Sequence, residues 1–189
     1  MPVTIGSAPQ AGFDQPLKLL QDCHRRIENF LDVLQRVVAT ATDAALDLEY
    51  RSALEAALAY FREAAPKHTQ DEDASLFPRL RQEGGAEARA ALRCVESLES
   101  DHIRAAGLHM QVDLRGQQWL QVGRLPASAR QELRLWLEEL RLLYHDHIQV
   151  EESRIFPLAG KILSSDALAS LGREMRARRA SPAPRNATS

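Results

Sequence analysis

His68-Thr69-Gln70-Asp71-Glu72-Asp73-Ala74-Ser75-Leu76-Phe77-Pro78 returns later in the chain as His147-Ile148-Gln149-Val150-Glu151-Glu152-Ser153-Arg154-Ile155-Phe156-Pro157, so that one phrase, H-x3-E-[DE]-x3-F-P, is written twice. A histidine and a glutamate four residues apart lie on one face of a helix. Two such faces supply a mixed imidazole and carboxylate set, the donors that iron favours. The phrase therefore predicts two helices that face each other across a metal pair.

Outward from the two phrases, apolar residues recur at alternating steps of three and four, the seam of an antiparallel helix bundle. The first helix carries Leu17, Leu20, His24, Ile27, Leu31, Leu34 and Val38, with Pro16 in its first turn, where a missing N–H costs nothing. The third carries Val95, Leu98, His102, Ala105, His109 and Val112. Breaks are expected near residues 40–47, at Gly84-Gly85, and over residues 116–126, and a short fifth helix near residues 165–178 follows a serine cap. The fold class is all-α: an up-down-up-down four-helix bundle over residues 14–178, with a flexible N-terminus (1–13) and a disordered tail (179–189).

His24 and His102 stand 78 residues apart, and His68 and His147 stand 79 apart. Two helical hairpins thus carry equivalent histidines, one half giving His24, His68 and Glu72 and the other His102, His147 and Glu151. Counted from the turns at about 1.5 Å per residue, His68 and His102 differ in height by about 3 Å, so the four imidazoles meet at one level. Glu72 and Glu151 then fall on one side of that level, placed to bridge two ions. Four imidazoles and two carboxylates buried without a cation would cost several kcal/mol each.

Other polar residues are read differently. Asp71, Asp73 and Glu152 are expected on solvated helix faces, with the i+5 carboxylates as the alternative inward pair. Glu28 lacks a symmetry mate, because its counterpart position holds Ala106, and Glu99-x2-His102 lacks the companion pairs of a ferritin-like site. His145 turns away from the seam, and His109, about 10 Å beyond His102, is expected to be a core or pocket histidine. Tyr144, one turn before His147, falls at the height of Ala105 and Ala106; it either packs as a core aromatic or reaches the open side of the metal pair.

Composition narrows the class. Lysine plus arginine number 24 against 26 acidic residues, a net charge of −2, with no basic run interleaved with aromatics, so neither nucleic acid nor membrane is an expected partner. Two cysteines, no apolar span and no signal-peptide pattern point to the cytoplasm. The oligomeric state is left open.

With His24 in Asp-Cys-His-Arg-Arg-Ile, Asp101-His102 on the third helix, and both H-x3-E runs ending in Phe-Pro, the chain resembles the bacterial hemerythrin-like (HHE cation-binding) domains. That resemblance implies two non-haem iron ions bridged by two carboxylates and an oxide or hydroxide. By matching positions, His24, His68, His102 and His147 would be terminal ligands and Glu72 and Glu151 the bridges; zinc or manganese could use the same donors. The oxygen-carrying members have a second histidine where this chain has Ala106, and an aspartate bridge at i+5 where it offers Glu151 at i+4. More open metal positions follow, for oxygen, nitric oxide or peroxide. The expected function is binding or sensing such a molecule, or handling iron. An oxidase, peroxidase or nitric-oxide reductase is the alternative, weakened by the lack of a fused rubredoxin-like or flavin segment, and a metal-stabilised interaction module is the third reading.

Overall fold

The computed structural model describes residues 11–42, 45–83 and 85–180. Helix α1 (Pro16–Thr40) opens on Pro16 and buries Leu20, His24, Ile27, Leu31 and Leu34 along one stripe. Helix α2 spans residues 48–82 in four consecutive segments, Leu48–Glu63, Ala65–Asp71, Glu72–Leu76 and Phe77–Gln82. It starts at Asp47, whose Oδ1 accepts the Tyr50 N–H at 2.8 Å. Helix α3 (Ala86–Val122) ends where Gly123 adopts φ 79° and its N–H bonds the Trp119 carbonyl at 2.8 Å. Helix α4 covers residues 127–162 as Ala127–Val150, Glu151–Ile155 and Phe156–Ile162, and α5 is Ser165–Ala180, capped by the Ser164 hydroxyl.

Each of α1 and α3 packs against both α2 and α4, which closes the four-helix ring, while α5 lies outside against α1 and α2. Apolar side chains form two clusters. One holds Leu31, Leu34, Leu54, Leu58, Trp119, Leu133 and Leu137. The other holds Leu20, Leu76, Phe77, Leu98, Ile155, Phe156 and Met175. The histidines and glutamates singled out by the sequence occupy the layer between.

Both repeated phrases contain a five-residue π-helical turn, Glu72–Leu76 and Glu151–Ile155. The Phe77 N–H bonds the Glu72 carbonyl and the Phe156 N–H bonds that of Glu151, each reaching back five residues. The cause is the proline that follows. Pro78 and Pro157 have no N–H to give, and their rings would collide with the carbonyls of Ala74 and Ser153 in a regular α-turn. Adding one residue to the turn relieves the clash and widens the helix at the glutamates.

Three expectations are corrected. The third helix does not break at Gly116; it runs on to Val122, because a Cβ at Gly116 would meet Leu58 Cδ1 at 2.5 Å, so this glycine lets α3 approach α2 rather than turn. The fifth helix continues to Ala180. Of the segments expected to be flexible, residues 1–10 and 181–189 lie outside the described residues, whereas residues 11–13 pack onto α1 and α5. The Ala11 N–H bonds Asp22 at 2.8 Å, and the Phe13 ring sits 5.2 Å from the Arg176 guanidinium.

Gly172 is the contact point, since its Cβ would fall 1.9 Å from the Phe13 carbonyl oxygen. Glycine to alanine inside a helix ordinarily gains up to about 1 kcal/mol. Here the sign should reverse: Gly172→Ala is expected to lower stability by about 1–3 kcal/mol, the usual cost of overpacking, in urea unfolding. A variant as stable as the parent would mean that residues 11–13 do not rest on α5.

Candidate metal centre

The six residues named from the sequence converge. His24 (α1), His68 and Glu72 (α2), His102 (α3), and His147 and Glu151 (α4) are all buried. Their donor atoms form two groups, His24, His68, Glu72 and Glu151, and Glu72, His102, His147 and Glu151, each within 4.8 Å and able to hold a metal ion. Both glutamates belong to both groups. Glu72 Oε1 lies 3.4 Å from His68 Nε2 and 3.8 Å from His24 Nε2, while its Oε2 lies 3.4 Å from His102 Nε2. Glu151 Oε2 lies 3.0 Å from His24 Nε2 and 3.4 Å from His147 Nε2.

The residues after the two glutamates serve the histidines instead. Asp73 Oδ1 bonds His102 Nδ1 at 2.8 Å, and Glu152 Oε1 bonds His24 Nδ1 at 2.9 Å. Each carboxylate crosses from its own helix to a histidine on the next, and each leaves that ring's Nε2 facing the interior. Arg25 braces Glu152 from outside. The π-turn makes the division possible, since a widened helix presents two consecutive carboxylates to its inner side. Asp73 and Glu152 are thus half-buried histidine partners, not the solvated residues expected.

Asp71 departs further from expectation. It is fully buried, and Arg178 and Arg179 of α5 reach its two oxygens at 2.6 and 2.7 Å. Burial raises its carboxyl above the ordinary range, against the pull of Arg179 and Arg178. Beside it, Arg79 and Ser75 bond Glu174 of α5 at 2.6 and 2.5 Å, and Arg79 first among them holds the Glu174 carboxyl at about 2. These ties fasten α5 to the outer side of the π-turn that carries Glu72.

Charge in the layer is divided unevenly. Burial takes His68 down to about 4. At His102 burial is outweighed by Asp73 and Glu72, which push it up to about 10. At His24 it is outweighed by Glu151, Glu152 and Glu72, which hold it well above the usual histidine range. Burial opposes ionisation of Glu72, yet the surrounding histidines, His68 first, keep its carboxyl well below the usual range. Although contacts of 3.0–3.8 Å join them, His24 Nε2, His147 Nε2 and both oxygens of Glu72 and Glu151 are buried with none of these contacts aligned as a hydrogen bond.

The remaining candidates lie elsewhere. Glu28 pairs with Arg25 at 2.7 Å and Glu99 with Arg81 at 2.6 Å, both outside the two groups, and His145 is exposed. Tyr144 neither bonds a carbonyl nor stands alone: its hydroxyl lies 3.0 Å from His109 Nε2, and the His109 ring stacks on Phe61 at 4.2 Å.

Burial takes His109 from 6.5 down to about 4. A folded base that resists protonation loses stability as pH falls, so its contribution is complete above about 6.5 and lost on descent through that window. The loss should approach about 3 kcal/mol at pH 4. His109→Gln, which keeps a partner for Tyr144, is expected to flatten the dependence between pH 7.5 and 5 in urea titrations of metal-free protein. Parallel curves for variant and parent would remove His109 from the account.

Comparison with known proteins agrees with this geometry. Among the described residues no helix is long and apolar enough to cross a membrane. An uncharacterised protein of Haemophilus influenzae is 28% identical over 170 residues, covering 89% of this chain and 92% of that relative. The model of the hemerythrin HHE cation binding domain matches residues 15–159, well over half of the chain. With its helical bundle and its two histidine–glutamate groups, the chain belongs to the hemerythrin HHE cation-binding domain family.

Proposed function

We propose that the chain is a non-haem di-iron protein that binds or senses oxygen, nitric oxide or peroxide, or handles iron. One observation carries the reading: two four-residue donor groups share Glu72 and Glu151. His24 and His68 would hold one ion, His102 and His147 the other, and the glutamates would span both. The orphaned donor atoms fit such an occupant, because buried carboxylates and imidazoles without partners are costly until a cation satisfies them. The mixture of imidazole and carboxylate supports iron over a thiolate-seeking metal. When bound, such a pair supplies two adjacent redox-active cations with positions free for a small exogenous ligand. Two free cysteines, Cys23 and Cys94, support a reducing compartment such as the cytoplasm.

The protein's own work is to fix donors and move protons. Asp73 and Glu152 accept from Nδ1 of His102 and His24 and so aim each Nε2 inward. An imidazole Nε2 that carries a proton must release it before it can hold a cation, so metal binding is linked to pH.

Protein from iron-replete cells should contain two irons per chain by metal analysis, and a single metal at saturation would overturn the reading. Glu72→Ala or Glu151→Ala removes a shared donor and should empty both positions.

Asp73→Asn and Glu152→Gln should keep two irons at saturation yet weaken binding by about ten- to a hundredfold in chelator competition, as outer carboxylates on metal-bound histidines do. The parent's affinity should rise from pH 6 to 8 as protons become easier to displace. Complete loss of an ion in either variant would instead make that carboxylate a ligand.

A further inference from the structure

A cleft of about 520 Å³ opens between α2 and α3. Its walls are largely apolar, built mainly from Leu58, Phe61 and Ala65 of α2 and Ala105 and Val112 of α3, with Thr69 and Gln70 on the α2 side and His102, His109 and Tyr144 completing the polar part. Arg62 and Asp113, 3.6 Å apart and half-exposed, form its rim. A cleft of similar size between α3 and α4 reaches His147, but its charged lining is engaged: Arg104 binds Glu139 at 2.5 Å, and Asp101 lies 3.5 Å from His147. Of these two clefts, the α2–α3 one joins largely apolar walls to the Tyr144 hydroxyl.

Its shape and chemistry describe an occupant. The volume falls within the roughly 300–1,000 Å³ of small-molecule sites, far above the about 30 Å³ that one water occupies. Phe61, with His109 stacked on it, gives the cleft an aromatic wall, which favours a flat aromatic ring. His109 is kept neutral by burial, so its Nε2 can accept the Tyr144 phenolic proton at 3.0 Å. The Tyr144 oxygen then retains lone pairs and calls for a donor.

We infer that the α2–α3 cleft binds a small aromatic molecule bearing one hydroxyl group, with the ring against the Phe61–His109 stack and the hydroxyl donating to the Tyr144 oxygen. The site extends the proposed function by setting an organic ligand beside the metal pair. Its recognition surface consists of side chains that need no metal, so it stands or falls separately.

Phenol and toluene serve as probes, titrated into the full chain by ligand-detected NMR, with metal bound and after chelation. Phenol is expected to bind about tenfold more tightly than toluene, the worth of one hydrogen bond. Tyr144→Phe should bring phenol down to the toluene level and leave toluene unchanged. Ala106 is an exposed residue lining the cleft, where a larger side chain disturbs no core, so Ala106→Trp should weaken both probes by at least about tenfold. Arg93→Ala, in the other cleft, should change neither. Equal affinity of the parent for phenol and toluene, or undiminished binding by Ala106→Trp, would overturn the inference. Absence of metal from the purified protein would count against the di-iron reading alone, since the titrations still report on the cleft.

Discussion

Everything in this bundle is arranged around the burial of four imidazoles and two carboxylates in one layer with apolar packing above and below. A layer of that kind gains nothing from hydrophobic burial and must be held by charge and geometry. The apolar clusters supply the frame: Phe77 and Phe156 close one side of the layer, and the Phe61, Leu140 and Tyr144 region closes the other. Each glutamate serves both halves, so neither half can be rearranged without the other.

The two π-turns show how a small local device serves that constraint. A proline that forbids regular α-geometry is a liability in a helix interior, costing about 3 kcal/mol or more. Here the same proline forces the extra residue that lets consecutive carboxylates divide their tasks, one toward the layer and one toward the neighbouring helix's histidine. The arrangement occurs twice, on α2 and α4, and gives the interior an approximate twofold symmetry. That symmetry is broken at its edges: Glu152 is braced by Arg25, Asp71 is clamped by α5, and Val150 occupies the position equivalent to Asp71.

Much of this was legible in the sequence, and the residues show why. His24, His68, Glu72, His102, His147 and Glu151 could be named together because i,i+4 spacing and the long repeat are properties of the chain itself. The roles of Asp73 and Glu152 could not, since a one-residue widening of the helix decides which of two adjacent carboxylates points where; the Phe-Pro ending was the available signal. Gly116 was misread because a glycine that permits close packing and one that permits a turn look alike in sequence. Asp71 was misread because its partners, Arg178 and Arg179, come from a helix whose docking site no local pattern announces. The height count put Tyr144 beside Ala105 and Ala106, lining the same cleft, but heights alone could not pair its hydroxyl with His109.

The clamp on Asp71 also bears on the order in which the protein assembles. Asp71 and Arg178 are 107 residues apart, so on a growing chain the carboxylate emerges long before its counterions. Until α5 is made, Asp71 is better hydrated than buried, and α2 has reason to stay away from α1 at the level of the histidines. The bond between His24 and Glu152 spans 128 residues and imposes the same delay on α1. The polar layer can therefore be completed only once α1, α2, α4 and α5 are all present, which makes its closure a late event relative to the formation of the individual helices.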